Sequence, residues 1–260
     1  MRNIKQIPVI LLLAFLPAVP ALAAPLIDEK FETDTRADWS GINIAPLTSD
    51  YYEYLGGQNH QGFGTSRVYA ENDHVMFRGN AFTRHDENGV NVAHSVLFQT
   101  FAQTDITNVN LTRSVHYQAG GFPTSIHFTR LAIRFNDGSG DRWAIGDLDL
   151  WTTKRGVGED PWGIEGGNVI ADPTTTLVSA LATSWTLLDP LANYAPAGAI
   201  SAANVLENAN AAGVYFRNEG NNWDNGYALD QFVLVPEPST LVLLGISLVS
   251  ACVFRRRKRG

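Results

Sequence analysis

The stretch LTRSVHY, residues 111–117, decides the fold class. Its odd positions carry Leu111, Val115 and Tyr117, and its even positions are polar. Alternation with a period of two is the mark of a strand with one buried face. Arg113 is the one odd position out of pattern.

The same texture extends in both directions. Strand patterns are expected at Leu26–Glu32, Arg67–Ala70, His74–Arg78, His94–Phe101, Ile126–Phe135 and Arg142–Trp151. They continue at Thr176–Leu181, Trp185–Leu188, Gly213–Arg217 and Tyr227–Val235. Gly120-Gly121 and Asp137-Gly138-Ser139-Gly140 punctuate them as turns. Only Ser201–Ala212 reads as helix, with Ser201 as N-cap and Gly213 past its end. About ten strands in one body imply an all-β fold, a two-sheet antiparallel sandwich of jelly-roll type with one short helix. Its first and last strands are expected to pair.

Both ends differ from this body. Arg2 and Lys5 precede the apolar stretch Ile7–Val19, and Ala21-Leu22-Ala23 supplies a small-x-small cleavage site. Residues 1–23 therefore read as a signal helix for Sec export and signal peptidase. At the other end, Thr240–Phe254 is uncharged, and as a helix would be about 22 Å long. That is short against a hydrocarbon core of about 30 Å, a deficit that local thinning and snorkelling can absorb. Arg255, Arg256, Arg257, Lys258 and Arg259 follow as a basic stop, which stays on the cytoplasmic side. This leaves the body, residues 24–235, on the outer side of a membrane held by a C-terminal transmembrane helix.

Of the 19 Lys and Arg, seven lie in these ends, leaving 12 in the body; of the 26 Asp and Glu only Glu237 does, leaving 25. A net charge of −13 argues against nucleic acid as a partner. The single cysteine, Cys252, lies in the tail, so the body has no disulfide, thiol nucleophile or thiolate metal site.

Val235-Pro236-Glu237-Pro238-Ser239, the short apolar span and the basic block together resemble the PEP-CTERM sorting signal, with Pro236, Glu237 and Pro238 as its motif. The resemblance covers residues 236–260 and implies processing by exosortase, a membrane-embedded transpeptidase. It implies a precursor anchored in the inner membrane with its body in the periplasm, released afterwards to the cell surface or an extracellular, biofilm-type matrix rich in exopolysaccharide. The ending Tyr227–Val235 also resembles the last strand of galactose-binding-like and concanavalin-like modules, which implies fold only.

Within the body, Asp147 and Asp149 stand on one strand face about 7 Å apart, a spacing open to glycoside hydrolysis. The Glu-x-Asp-x-x-Glu strand of jelly-roll glucanases is not matched there, and no catalytic residue is assigned. His116 and His127 would oppose each other if Gly120-Gly121 closed a hairpin, and could then hold a metal, although a polar sheet face explains them equally. Asp137 and Asp141, around Gly138-Ser139-Gly140, offer hard oxygens for a structural calcium. The galactose-binding-like resemblance adds Asp230 or Glu29, near the last and first strands. Trp162 and Trp223, with Asp224, stand in loops rich in Gly, Asn and acidic residues, and are the candidate sugar-binding surface. The function expected is a non-enzymatic structural or adhesive protein of the envelope or matrix. A carbohydrate-binding module for exopolysaccharide is the alternative, and a glycoside hydrolase the second alternative.

Overall fold

The computed structural model describes residues 24–47, 52–55, 60–62, 65–67, 74–78, 81–118, 127–151, 153–155, 173–219 and 226–237. Chain contacts separate Pro25–Pro236, a compact unit, from a second unit made of Met1–Ala24 and Glu237–Gly260. The signal helix and the tail helix lie outside the described residues, and among the described residues no helix is long and apolar enough to cross a membrane.

Among the described residues there are seventeen strands. In chain order these are β1 (Ile27–Glu29), β2 (Ser40–Ile42), β3 (Tyr52–Leu55), β4 (His60–Gly62), β5 (Thr65–Arg67) and β6 (His74–Arg78). Next come β7 (His85–Glu87), β8 (Val90–Thr104), β9 (Val109–Gln118), β10 (His127–Asn136), β11 (Asp141–Asp149) and β12 (Thr153–Arg155). The last are β13 (Thr174–Leu177), β14 (Trp185–Asp189), β15 (Ala195–Ile200), β16 (Ala209–Glu219) and β17 (Gly226–Pro236). One α-helix, α1 (Ala202–Leu206), and three short 3-10 turns at Arg36–Asp38, Val178–Ala180 and Pro190–Ala192 interrupt them.

Sheet A runs β12-β9-β17-β6-β3, with β1 also on β17 and β13 also on β9. Sheet B runs β15-β14-β11-β10-β16-β8-β2, with β7 also on β8. A ribbon of β4 and β5 stands apart from both in pairing. All pairs are antiparallel except β12 with β9. The expected pairing of the ends is present, with Ile27 opposite Leu234.

The core lies between the sheets and follows the period of two. Sheet B contributes Leu131, Ile133 and Phe135 from β10, and Ala212, Val214 and Phe216 from β16. In β17 the phase changes: Tyr227 and Leu229 point inward first, then Phe232 and Leu234. A bulge between Leu229 and Gln231 leaves Asp230 as the extra residue, and it is buried there. Phe82, Phe216 and Tyr227 meet with centroids 4.9–5.6 Å apart, tying the two sheets together at geometries favourable for rings. Each such fully buried large apolar side chain contributes roughly 1.5–3 kcal/mol.

Glu29 makes a second tie. Its Oε1 accepts from the Phe31 amide at 2.7 Å. Its Oε2 accepts from the Thr35 hydroxyl at 2.6 Å, Trp39 Nε1 at 3.1 Å and Gln99 Nε2 at 3.3 Å. Phe31 is held at φ 51°, a left-handed conformation costly for such a side chain, and the Glu29 carboxylate fastens that turn. Gln99 belongs to β8, so this one buried carboxylate joins the edge of sheet A to sheet B.

Arg113, the exception in the 111–117 pattern, is buried in phase with Leu111 and Val115. It keeps its place because Nε donates to the Leu150 carbonyl at 3.1 Å and Nη1 to Thr176 Oγ1 at 3.2 Å. Its guanidinium pKa is lowered by burial.

Two expectations are corrected. Helix stops at Leu206 rather than Ala212, because Ala209–Glu219 is wanted between β8 and β10. Ser201 does cap it, accepting from the Asn204 amide at 3.3 Å. His116 and His127 are not hairpin partners: His116 pairs with Thr153 and Ala228 in sheet A, and His127 with Asn218 in sheet B.

Candidate functional site

The sheet B face turned away from the core carries its own side-chain array. Cross-strand register sets Ile42, Val96, Tyr215, Arg130 and Asp149 in one row across five strands. A second row runs Phe98, Gly213, Ala132 and Ile145. Ala211, Arg134 and Trp143 fall in a third. Because Gly213, Ala211 and Ala132 are small, Phe98 and Trp143 reach across two intervening strands and meet edge to face at 4.8 Å. The approach of backbones is close: a Cβ on Gly213 would stand 1.9 Å from the Leu97 carbonyl oxygen.

Polar groups rim this aromatic floor. Arg130 stacks over Phe128 at 4.2 Å and lies 4.0 Å from Asp149. Arg134 donates to Asn210 at 2.7 Å and pairs with Asp141 at 3.5 Å. Tyr194, from the turn after β14, packs on the same cluster and is partly exposed, as are Phe128 and Ile42. Phe98 and Trp143 are themselves buried, so the rings a hydroxyl-rich ligand could meet are the partly exposed Phe128 and Tyr194, flanked by guanidinium and carboxylate groups.

At one end of this face, β7 and β8 form a hairpin across Asn88-Gly89, with both turn residues at positive φ. Glu87 stands opposite Val90 and His85 opposite Val92, so the period of two puts His85, Glu87 and His94 on one face. Ligand atoms of these three residues lie within 4.8 Å of one another, the group among the described residues suited to a metal ion. His94 is buried; its Nδ1 is 2.6 Å from the Tyr215 hydroxyl and its Nε2 3.1 Å from Glu87 Oε2. Burial lowers the His94 pKa, against the opposing pull of Glu87. Burial likewise raises that of Tyr215. Arg217 lies 3.8 Å from Glu87 and 2.5 Å from Glu219, its main partner. Sequence reading passed over this trio, although Asn-Gly in a two-residue turn is a strong hairpin signal that fixes the register.

The expected site residues are scattered by comparison. Trp162, Trp223, Asp224, Pro238 and Arg255–Arg259 lie outside the described residues. Asp137 and Asp141 share the β10–β11 hairpin, whereas Asp230 sits in sheet A. Asp137 takes the Ser139 hydroxyl at 2.6 Å and amide at 2.9 Å, with Arg142 at 3.2 Å. The Ser139 hydroxyl is the main cause that draws its pKa down to about 2. Asp141 accepts from Asn210 at 2.9 Å. Asp147 accepts from the Thr183 hydroxyl and amide at 2.5 and 2.7 Å and the Ser184 amide at 3.1 Å. These bonds, Thr183's hydroxyl first, hold its carboxyl well below the ordinary range. A group so held stays ionised and is a poor proton donor.

No curated protein matches the chain. Solved structures similar to it include the solution structure of CtCBM11, at 10% identity over 85% of this chain and 99% of that one, TM-score 0.37. The CBM22-1–GH10 modules of Clostridium thermocellum endo-1,4-beta-D-xylanase 10B with xylohexaose match at 8% identity, 83% and 29% coverage and TM-score 0.33. A Stig cyclase from Fischerella sp. TAU matches at 12% identity, 83% and 98% coverage and TM-score 0.34. At such TM-scores these likenesses carry no weight for ligand or activity. The family model for the PEP-CTERM protein-sorting motif matches residues 234–258. Leu234, Val235 and Pro236 are still paired with Leu111, Asn110 and Val109 in β17. The last strand of the sandwich thus runs directly into a PEP-CTERM sorting motif, the mark of an exported, membrane-anchored precursor that exosortase processes.

Proposed function

We propose that the body is a non-enzymatic β-sandwich which exosortase releases to the cell surface or matrix, where it acts as a structural or adhesive component. The observation that carries this reading is the sorting motif continuous with β17. The engagement of Asp147 by Thr183 and Ser184 supports the absence of hydrolytic chemistry on that strand. Intact-mass measurement of the protein from its native host tests the address. The expected product lacks residues 1–23 and the segment beyond the Pro-Glu-Pro region. A surface form that keeps Arg255–Arg259 would refute it.

A second reading is favoured by the outer face of sheet B, where Phe128 and Tyr194 flank the Phe98–Trp143 floor and Arg130 stands beside them. It makes the protein a binder of exopolysaccharide through that face. Affinity electrophoresis in gels cast with the host polysaccharide tests it. Retardation lost in Phe128→Ala and Tyr194→Ala, with the melting temperature held within a few degrees, is the expected outcome. Equal retardation of wild type and both variants would remove this face from the binding.

A further inference from the structure

The geometry points to a binding site for a divalent transition-metal ion of the zinc class, formed by His85, Glu87 and His94, with its fourth position open to water. Two imidazoles and one carboxylate are the donors such an ion takes, and nitrogen donors disfavour calcium and magnesium. In a tetrahedral zinc site with bonds of about 2.0–2.2 Å, ligand atoms lie roughly 3.3 Å apart. His94 Nε2 and Glu87 Oε2 already stand 3.1 Å apart. The whole set is within 4.8 Å, so closing the site asks only for rotation of side chains. His85 and Glu87 are partly exposed, whereas His94 is buried against Tyr215.

A hydrogen-bonded His94–Glu87 pair would explain two of these residues and leave the third. The His85 ring also comes in beside His94, centroids 5.6 Å apart, and brings its own ligand atom to the same point. The partner on the far side of His94 fits the same purpose. Without metal, Nε2–H donates to Glu87 and the Tyr215 hydroxyl donates to Nδ1. Metal on Nε2 requires the other tautomer, with the proton on Nδ1. A hydroxyl can both donate and accept, so Tyr215 serves either form and fixes the ring plane in both. The nearby cation, Arg217, is held by Glu219 at 2.5 Å and keeps that partner when Glu87 turns to the metal.

The test uses the full chain in detergent, stripped with EDTA and titrated with Zn(II) against a chromophoric chelator, and separately with Co(II). The expected result is one equivalent of zinc per chain, with visible d–d bands for cobalt. His85→Ala and Glu87→Gln should each weaken zinc by at least roughly 100-fold while the circular dichroism is unchanged. Tyr215→Phe should weaken it by about 10–100-fold, as loss of an outer partner does. Asp86→Asn, exposed on the hairpin, should have no effect. Failure of the wild-type chain to bind one equivalent overturns the site without reference to any variant. Binding that survives both His85→Ala and Glu87→Gln belongs to other residues and overturns it equally.

Discussion

Replacing Glu29 by Gln would keep the shape of the buried tie between the sheets and change only its chemistry. The carboxylate accepts from four donors, and an amide offers one accepting oxygen and one NH2. If the NH2 takes the Oε2 position, the Thr35 hydroxyl and the Gln99 amide can turn to accept from it, but the Trp39 indole N–H is a donor only. If the amide is flipped, the buried Phe31 N–H faces the NH2 instead. In either arrangement a buried N–H loses its acceptor, at about 1–3 kcal/mol, and the surviving bonds lose charge assistance worth about 1 kcal/mol. The sum, about 2–4 kcal/mol, corresponds to a fall in melting temperature of roughly 4–16 °C for a body of this size. Trp39→Phe removes the stranded donor, so Glu29→Gln and Trp39→Phe together should cost about 1 kcal/mol less than the two changes added. Thermal unfolding followed by tryptophan fluorescence at neutral pH reads all three. A Glu29→Gln chain melting within about 1 °C of wild type would show that the four bonds do not hold the sheets together.

Gly213→Ala drives a methyl into the Leu97 carbonyl and the Phe98 Cα, both backbone, and neither can step aside without parting β8 from β16. It should cost at least about 3 kcal/mol, the upper part of the range for overpacking, seen as loss of soluble protein or a melting temperature lower by many degrees. Arg113→Met keeps the packing of the aliphatic stem but strands the buried Leu150 carbonyl, so its melting temperature should fall by a few degrees, and that of Arg113→Ala, which loses the packing as well, should fall further. The Asp137 carboxyl, followed by carbon NMR, should titrate near pH 2, and Ser139→Ala should move it up toward the ordinary 3.8. The sign follows: a folded pKa below the unfolded one gives a stabilising contribution present above about pH 4 and lost as pH falls through 2. A midpoint unchanged by Ser139→Ala would refute the assigned cause.

The period of two was readable wherever a strand has one wet face or clear apolar runs. It placed β9, β10, β11 and β17, and the pairing of β1 with β17. It failed where tertiary neighbours overrule local preference. Ala209–Ala212 reads as helix by composition, yet it lies in the middle of sheet B, with Asn210 bonded to Arg134 and Asp141. Ala195–Ile200 has Pro196 and Gly198 and no strand signal, and is tolerated because β15 is an edge with a register shift opposite it. The sites were less legible than the fold. Asp147 and Asp149 share a face as spacing required, but no spacing shows that Thr183 and Ser184 occupy Asp147. The Phe98–Trp143 contact was hidden because Trp143 looks like any core residue, and it takes the register of four strands to bring it to Phe98. The hairpin of His85, Glu87 and His94 was within reach, since Asn88-Gly89 alone sets its pairing.

The position of β17 in sheet A also sets an order of events during export. This strand lies between β9 and β6 and carries β1 on its edge, yet it is the last stretch of the body to be synthesised. Until Gly226–Pro236 is available, the first strand has no ladder to join and β9 and β6 have nothing between them. Sheet A therefore closes only when this last strand, which leads directly into the sorting motif, is in place. The strand that completes sheet A and the start of the sorting motif share residues 234–236, so a chain that stops short of its motif is also a chain that cannot finish this sheet.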